Sequence, residues 1–162
     1  MEFLYAGTLC CLFGIGYQDI KHRAVTGLLL GLAGLFLGGM LYLHLDNRAL
    51  WLTTVLLNLC LVALMLIPAY GYSRWIRKTR FWNRGLGTGD LFFFIAMALG
   101  FPTVTFLILL VASLVLALIS GIILGYGRDT GSSIPLAGIQ ALFLSAVFLV
   151  SRFGSTSWLY RV

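Results

Sequence analysis

The sequence predicts an all-α, polytopic membrane protein, a compact bundle of six transmembrane helices that forms a single domain over residues 1–162. Hydrophobic residues make up 60% of the chain and charged residues only 10%, whereas a soluble domain carries about 25% charged residues. Apolar runs recur at roughly the 20 residues that cross the hydrocarbon core of a bilayer. The basic residues gather between these runs, as they do in membrane loops.

Six apolar runs define the predicted helices, which cover residues 3–19, 25–43, 50–70, 90 or 91 to 100, 103–124 and 134–153. The first run lacks the basic start of a secretory signal peptide, so we expect it to be retained as a helix. The fourth is short for a full span. Small residues recur at steps of three or four, which indicates faces where helices approach closely. They are Gly27, Gly31, Gly34 and Gly38, then Ser113, Ala117, Gly121 and Gly125, then Ala137, Ala141 and Ser145.

The distribution of the basic residues predicts the orientation of the chain. Of 11 Lys and Arg residues, eight fall in the first, third and fifth loops and three on the opposite side. An excess of basic residues marks the cytoplasmic side. We therefore expect both termini outside the plasma (inner) membrane. Asp19 and Asp90, which border the first and third loops, are then expected at its cytoplasmic face. The third loop mixes arginines with Trp75, Phe81 and Trp82, which fits anionic lipids as partners better than nucleic acid.

Two acidic residues border apolar runs, Asp19 at the end of the first and Asp90 at the start of the fourth. A charge within a membrane costs about 2.5–3.5 kcal/mol on insertion scales, and intramembrane acids usually serve function. Two simpler interpretations stay open. Asp90 could act only as a helix N-cap, and Asp19 could pair with Lys21 or Arg23. No capping role explains Asp19, because a helix C-terminus disfavours an anion.

Two carboxyl groups hydrolyse a peptide when one removes a proton from water and the other donates one to the carbonyl oxygen. A helix N-terminus favours the ionised form of Asp90, and a helix C-terminus favours the protonated form of Asp19. We therefore expect Asp90 to act as base and Asp19 as acid, in a pair that titrates jointly. Gly87 and Gly89 lack side chains, so we expect their backbone to approach an extended substrate closely.

The stretch over residues 19–25, DIKHRAV, and the later GTGD over residues 87–90 resemble the type IV prepilin peptidase family of GxGD aspartic proteases. The IPLAG stretch over residues 134–138 is similar to the start of the last helix in that family. The resemblance spans the chain. It implies a six-helix fold, Asp19 and Asp90 as catalytic residues, and a site loop that binds substrate. The residues of that loop and of the first motif are Gly87, Thr88, Gly89, Lys21 and Arg23.

The resemblance also implies a substrate, a prepilin-like precursor of type IV pili or secretion systems. Its short basic leader would lie in the cytoplasm before a hydrophobic helix and would be cleaved after a glycine. The chain departs from the family at Thr26, where a proline is expected, and at Leu91-Phe92-Phe93, which replaces a stretch with a lysine. The methyltransferase domain of the longer members is absent, which implies a peptidase-only form.

Two other classes of function stay open. A small transporter could use Asp19 and Asp90 as ion or proton relays, and an inactive relative could act as a scaffold. We expect Gln18, Gln140 and Asn58 to form hydrogen bonds between helices, although the glutamines could also orient substrate. The three cysteines and two histidines show no spacing typical of metal ligands, so we expect no metal and no cofactor.

Overall fold

The computed structural model describes residues 2–45, 47–75, 87–123, 135–153 and 159–160. Within these ranges all regular secondary structure is helical, which confirms the predicted all-α class. The helices are α1 (Glu2–His22), α2 (Gly27–His44), α3 (Arg48–Trp75), α4 (Thr88–Gly100), α5 (Thr103–Ile123) and α6 (Leu136–Phe153). The basic segment predicted over residues 74–84 lies largely outside the described residues.

Three of the described helices are long and apolar enough to cross a membrane. They are α2, the stretch Arg48–Pro68 of α3, and α5. Helix α4 and the stretch Leu136–Arg152 of α6 are apolar but shorter. The length and composition of the described helices therefore support membrane-spanning segments, and a bundle of six spans stays a prediction.

The helix boundaries differ from the prediction by up to five residues, the most at the end of α3, which continues past Tyr70 to Trp75. Two of the differences lie at the aspartates. Helix α1 continues past Asp19 to His22, and its end is set by Arg23, whose φ of 52° lies in the left-handed region. The backbone N–H of Arg23 donates to the Asp19 carbonyl at 2.9 Å. Helix α4 begins at Thr88 rather than at Asp90 or Leu91, with Gly87 as its N-cap. Asp90 is therefore the third residue of its helix.

The helices pack in pairs that bring the predicted site together. Helix α1 packs against α2 and α6, and α4 packs against α2, α3, α5 and α6. Only 17% of the apolar stretch of α3 is buried, against 39% of α2, so α3 lies at the edge of the bundle. The interior is filled by fully buried side chains, of which the largest are Phe93, Phe94, Phe101, Phe106 and Phe148.

The predicted small-residue faces are only partly used for packing. A Cβ built on Gly34 or Gly38 would lie 3.6–3.7 Å from atoms of α4, in ordinary contact. Around Gly27 and Gly31 no atom of another described helix lies within 4 Å of such a Cβ, so among the described residues these two glycines do not have the predicted packing role. The small residues of α5 and α6 are buried at Ser113, Ala117, Gly121, Ala137, Ala141 and Ser145. Gly125 lies outside the described residues.

Gly100 ends α4 in close contact with α2, and this contact should control stability. A Cβ at Gly100 would lie 2.7 Å from Cβ of Leu37, too close for either helix to stay in place. We expect Gly100→Ala to lower the free energy of unfolding by about 1–3 kcal/mol. We expect the control Gly31→Ala to raise it by up to about 1 kcal/mol, since alanine favours helix over glycine. Unfolding titrations in detergent micelles measure both, and shifts of equal sign would contradict this packing.

Polar side chains also tie the helices together. Nδ2 of Asn58 in α3 donates to the carbonyls of Ala98 at 2.9 Å and Phe101 at 2.8 Å, which closes the C-terminal end of α4. Oε1 of Gln18 in α1 accepts from the N–H and the hydroxyl of Thr26, both at 3.1 Å, where α2 begins. The predicted bonding between helices is thus confirmed for Asn58 and Gln18. The side chain of Gln140 forms no such hydrogen bond with any residue that the structure describes.

Candidate functional site

Asp19 and Asp90 meet at the N-terminus of α6. Oδ2 of Asp19 accepts a hydrogen bond from the backbone N–H of Gly138 at 2.6 Å. Oδ1 of Asp90 accepts one from the backbone N–H of Ala137 at 2.8 Å. The two donors belong to consecutive residues in the first turn of one helix. Two carboxyl groups that are far apart in the sequence are therefore held by adjacent peptide groups.

The first turn of α6 has donors available because of its position in the helix. The first N–H groups of an α-helix have no acceptor within the helix and lie at the positive end of its dipole. Pro135 has no N–H, and the first N–H that is bonded back is that of Ile139, which donates to the Pro135 carbonyl at 3.1 Å. The N–H groups of Ala137 and Gly138 precede that bond. They are free to bind anions, as helix N-termini commonly do.

Asp19 reaches this helix end because residue 138 is a glycine. The Asp19 side chain is buried, in the last turn of α1. A Cβ built on Gly138 would lie 2.9 Å from Cβ of Asp19 and 3.0 Å from its Oδ2. In the sequence, Gly138 stands out only as part of the IPLAG stretch, and its contact with Asp19 was not predicted. A glycine in the first turn of a helix was the available signal, since glycine is a poor helix former unless another chain approaches closely.

Asp90 uses its two oxygens for different purposes. As the third residue of α4, it reaches back so that Oδ2 accepts from the N–H of Gly87 at 3.1 Å, as in a capping box. Oδ1 crosses to α6. The role of Asp90 as a helix cap therefore accounts for the bond of Oδ2, but not for the bond that Oδ1 accepts from α6. A Cβ on Gly87 would lie 3.1 Å from Oδ2, so the small residue at Gly87 leaves room for the carboxyl group.

The two carboxyl groups also interact electrostatically. They are near enough to repel one another when both are ionised. Asp90 accepts two N–H bonds, whereas Asp19 accepts one and also lies in the field of the Arg23 charge. Two like charges held at adjacent peptide groups repel one another, so ionisation of one carboxyl group disfavours ionisation of the other. Which carboxyl group acts as acid and which as base stays a prediction.

The remaining predicted site residues are next to the aspartates in the sequence, and three of them have other surroundings in the structure. The predicted pairing of Lys21 with Asp19 is not seen, because the Lys21 Nζ donates instead to the Tyr17 hydroxyl at 2.7 Å. Thr88 is exposed at the start of α4. A Cβ on Gly89 would lie 3.8 Å from Val25, in ordinary contact. The structure thus places these residues near the site, and their contact with a substrate stays a prediction.

A buried carboxyl group, that of Asp19, and a half-buried one, that of Asp90, can act at one helix end as an acid and a base on a molecule placed between them. In the part of the chain that the structure describes, no cluster of three or more His, Cys, Asp or Glu side chains could hold a metal ion. Asp46 and Asp129 lie outside the described residues. Comparisons with protein-family models, with curated proteins and with solved structures found no match to this chain.

Proposed function

We propose that this protein is a membrane-embedded aspartic endopeptidase that removes the leader of prepilin-like precursors at the cytoplasmic face of the membrane. The observation that carries the proposal is the convergence of Asp19 and Asp90 on the adjacent N–H groups of Ala137 and Gly138. The motifs that contain both aspartates resemble those of type IV prepilin peptidases. A role of Asp90 as an N-cap alone does not account for its bond to α6.

The paired carboxyl groups supply the proton transfers that peptide hydrolysis needs. One ionised carboxylate removes a proton from water as the water oxygen attacks the carbonyl carbon, and the protonated partner donates its proton to the carbonyl oxygen. The resulting diol then collapses. The first carboxyl group protonates the leaving nitrogen as the C–N bond breaks, and the second takes back a hydroxyl proton. The pair ends with the single proton with which it began.

The predicted membrane topology supports the same function. The site lies at the C-terminal end of α1 and at the N-terminal ends of α4 and α6. Six spans with both termini outside would place these three ends together on the cytoplasmic side, where the basic residues are in excess. The leader junction of a precursor would lie at the same level of the membrane.

Cleavage of a prepilin-like precursor in membranes tests the proposal. Wild type, Asp19→Asn and Asp90→Asn are compared at equal expression, and the new N-terminus of the product is sequenced. Cleavage by wild type alone supports the two-aspartate mechanism. Equal cleavage by all three contradicts it and points to a contaminating protease. A wild type that moves ions without cleavage is a transporter, and variants that still support appendage assembly identify a scaffold.

The predicted approach of substrate to the glycine turn has its own test at Gly89. An alanine Cβ fits there at ordinary contact distance, so Gly89→Ala should leave the melting temperature close to that of wild type. If the backbone of Gly89 lies against the substrate, the same methyl group should lower kcat/KM about tenfold, a loss of roughly 1.4 kcal/mol. Initial rates and thermal unfolding of the two proteins decide this. Unchanged kcat/KM would contradict the close approach.

A further inference from the structure

Gln140 carries a buried amide group that has no hydrogen-bond partner. Its side chain has no exposed area, and neither Nε2 nor Oε1 is bonded to any residue that the structure describes. The other fully buried amide, that of Asn58, donates two hydrogen bonds. Buried polar groups in proteins are almost always partnered, and an exception requires an explanation. The predicted hydrogen bond between helices is therefore wrong for Gln140 among the described residues, and its burial needs another explanation.

Gln140 lies on the same face of α6 as Ala137, the residue whose N–H holds Asp90. Gln140 follows Ala137 by three residues and Gly138 by two on α6. Residues three apart are neighbours on a helix surface, and helical side chains lean toward the N-terminus. The Gln140 side chain therefore lies over the first turn of α6. From this turn the N–H of Ala137 reaches Oδ1 of Asp90.

Water is the ligand that fits this amide. A peptide could not reach a side chain without exposed area unless α6 separated from its neighbours. A water molecule is small enough to lie within the bundle, and it needs two to four polar partners, which the amide and a nearby carboxylate supply.

We propose that Gln140 is a positioning residue that binds the water used by the aspartate pair. The inference rests on the proposed function, since it gives the amide a role in that reaction. The Gln140 amide orients the water oxygen toward the scissile carbonyl while a carboxylate removes its proton. Gln140 itself neither gains nor loses a proton.

Two measurements on the full chain in lipid test this inference. Water-edited solid-state NMR of wild type should show magnetisation transfer from water to the side-chain amide of Gln140, assigned by its absence in Gln140→Met. In cleavage assays Gln140→Met should lower kcat about tenfold and leave KM unchanged, because one hydrogen bond to the reacting water is lost. The control Ser145→Ala, on the same helix, should keep both constants. Among the described residues, its hydroxyl bonds within α6, to the carbonyls of Ala141 and Leu142.

The outcomes separate this inference from the proposed function. Absence of transfer from water to the Gln140 amide would overturn the water site, whatever the activity. Transfer combined with an unchanged kcat in Gln140→Met would overturn its role in the reaction. A wild type that shows the transfer but cuts no precursor would refute the proposed function, and the reaction role with it, while leaving the water site established.

Discussion

Asp19→Asn, Asp90→Asn and the double variant should all cleave a prepilin-like precursor about 10²–10⁴-fold more slowly than wild type. The three losses should be of similar size, because residues that act as one unit are not additive. Removing either carboxyl group leaves the other without its partner in proton transfer. Single-turnover rates in detergent or lipid measure the three losses directly.

The fold should survive these changes. Asparagine has the size of aspartate, and its amide oxygen can still accept from the N–H of Gly138 or Ala137 at the end of α6. Thermal unfolding of each variant provides the control for structure. A single variant that keeps full activity would show that the pair is wrongly assigned. A double variant whose loss equals the product of the single losses would mean that the two residues act independently.

Gly138→Ala should lower the cleavage rate nearly as much, although residue 138 has no side chain that could take part in the reaction. The added Cβ would lie 2.9 Å from Cβ of Asp19 and 3.0 Å from Oδ2, so Asp19 must move and the bond at 2.6 Å is lost. A misplacement of a catalytic group by about 1 Å can lower the rate about 10²-fold. The overpacking should also cost about 1–3 kcal/mol of stability. Both kcat and the melting temperature should therefore fall.

Gly16→Ala is the matched control for this effect. It adds a Cβ to the same contact between α1 and α6, 2.9 Å from side-chain atoms of Leu142, without touching Asp19. Because the end of a leucine side chain can move, we expect a smaller loss of stability and a kcat close to that of wild type. Equal losses of kcat in Gly16→Ala and Gly138→Ala would mean that the rate follows the packing of α1 and α6, and not the position of Asp19.

The helices, and Asp19 and Asp90 as candidate site residues, could be predicted from the sequence alone. Helix formation and membrane-spanning length depend on local runs of apolar residues, which can be recognised without knowing how the chain packs. The errors in the helix ends at the aspartates also have local causes. The end of α1 depends on a left-handed Arg23, and α4 begins at Thr88 because Gly87 and Asp90 together form its cap. Neither feature has a strong signature in residue type alone.

The way in which the site is built could not be predicted from the sequence. The groups that bind Asp19 and Asp90 are backbone N–H groups, which every residue except proline carries, so no residue type marks them in advance. The roles of Gly138 and Gln140 depend on which helix lies opposite. So does the difference between Gly34, which packs on α4, and Gly31, which faces open space. Close approach and burial depend on contacts between distant segments, and these exist only once the helices have packed.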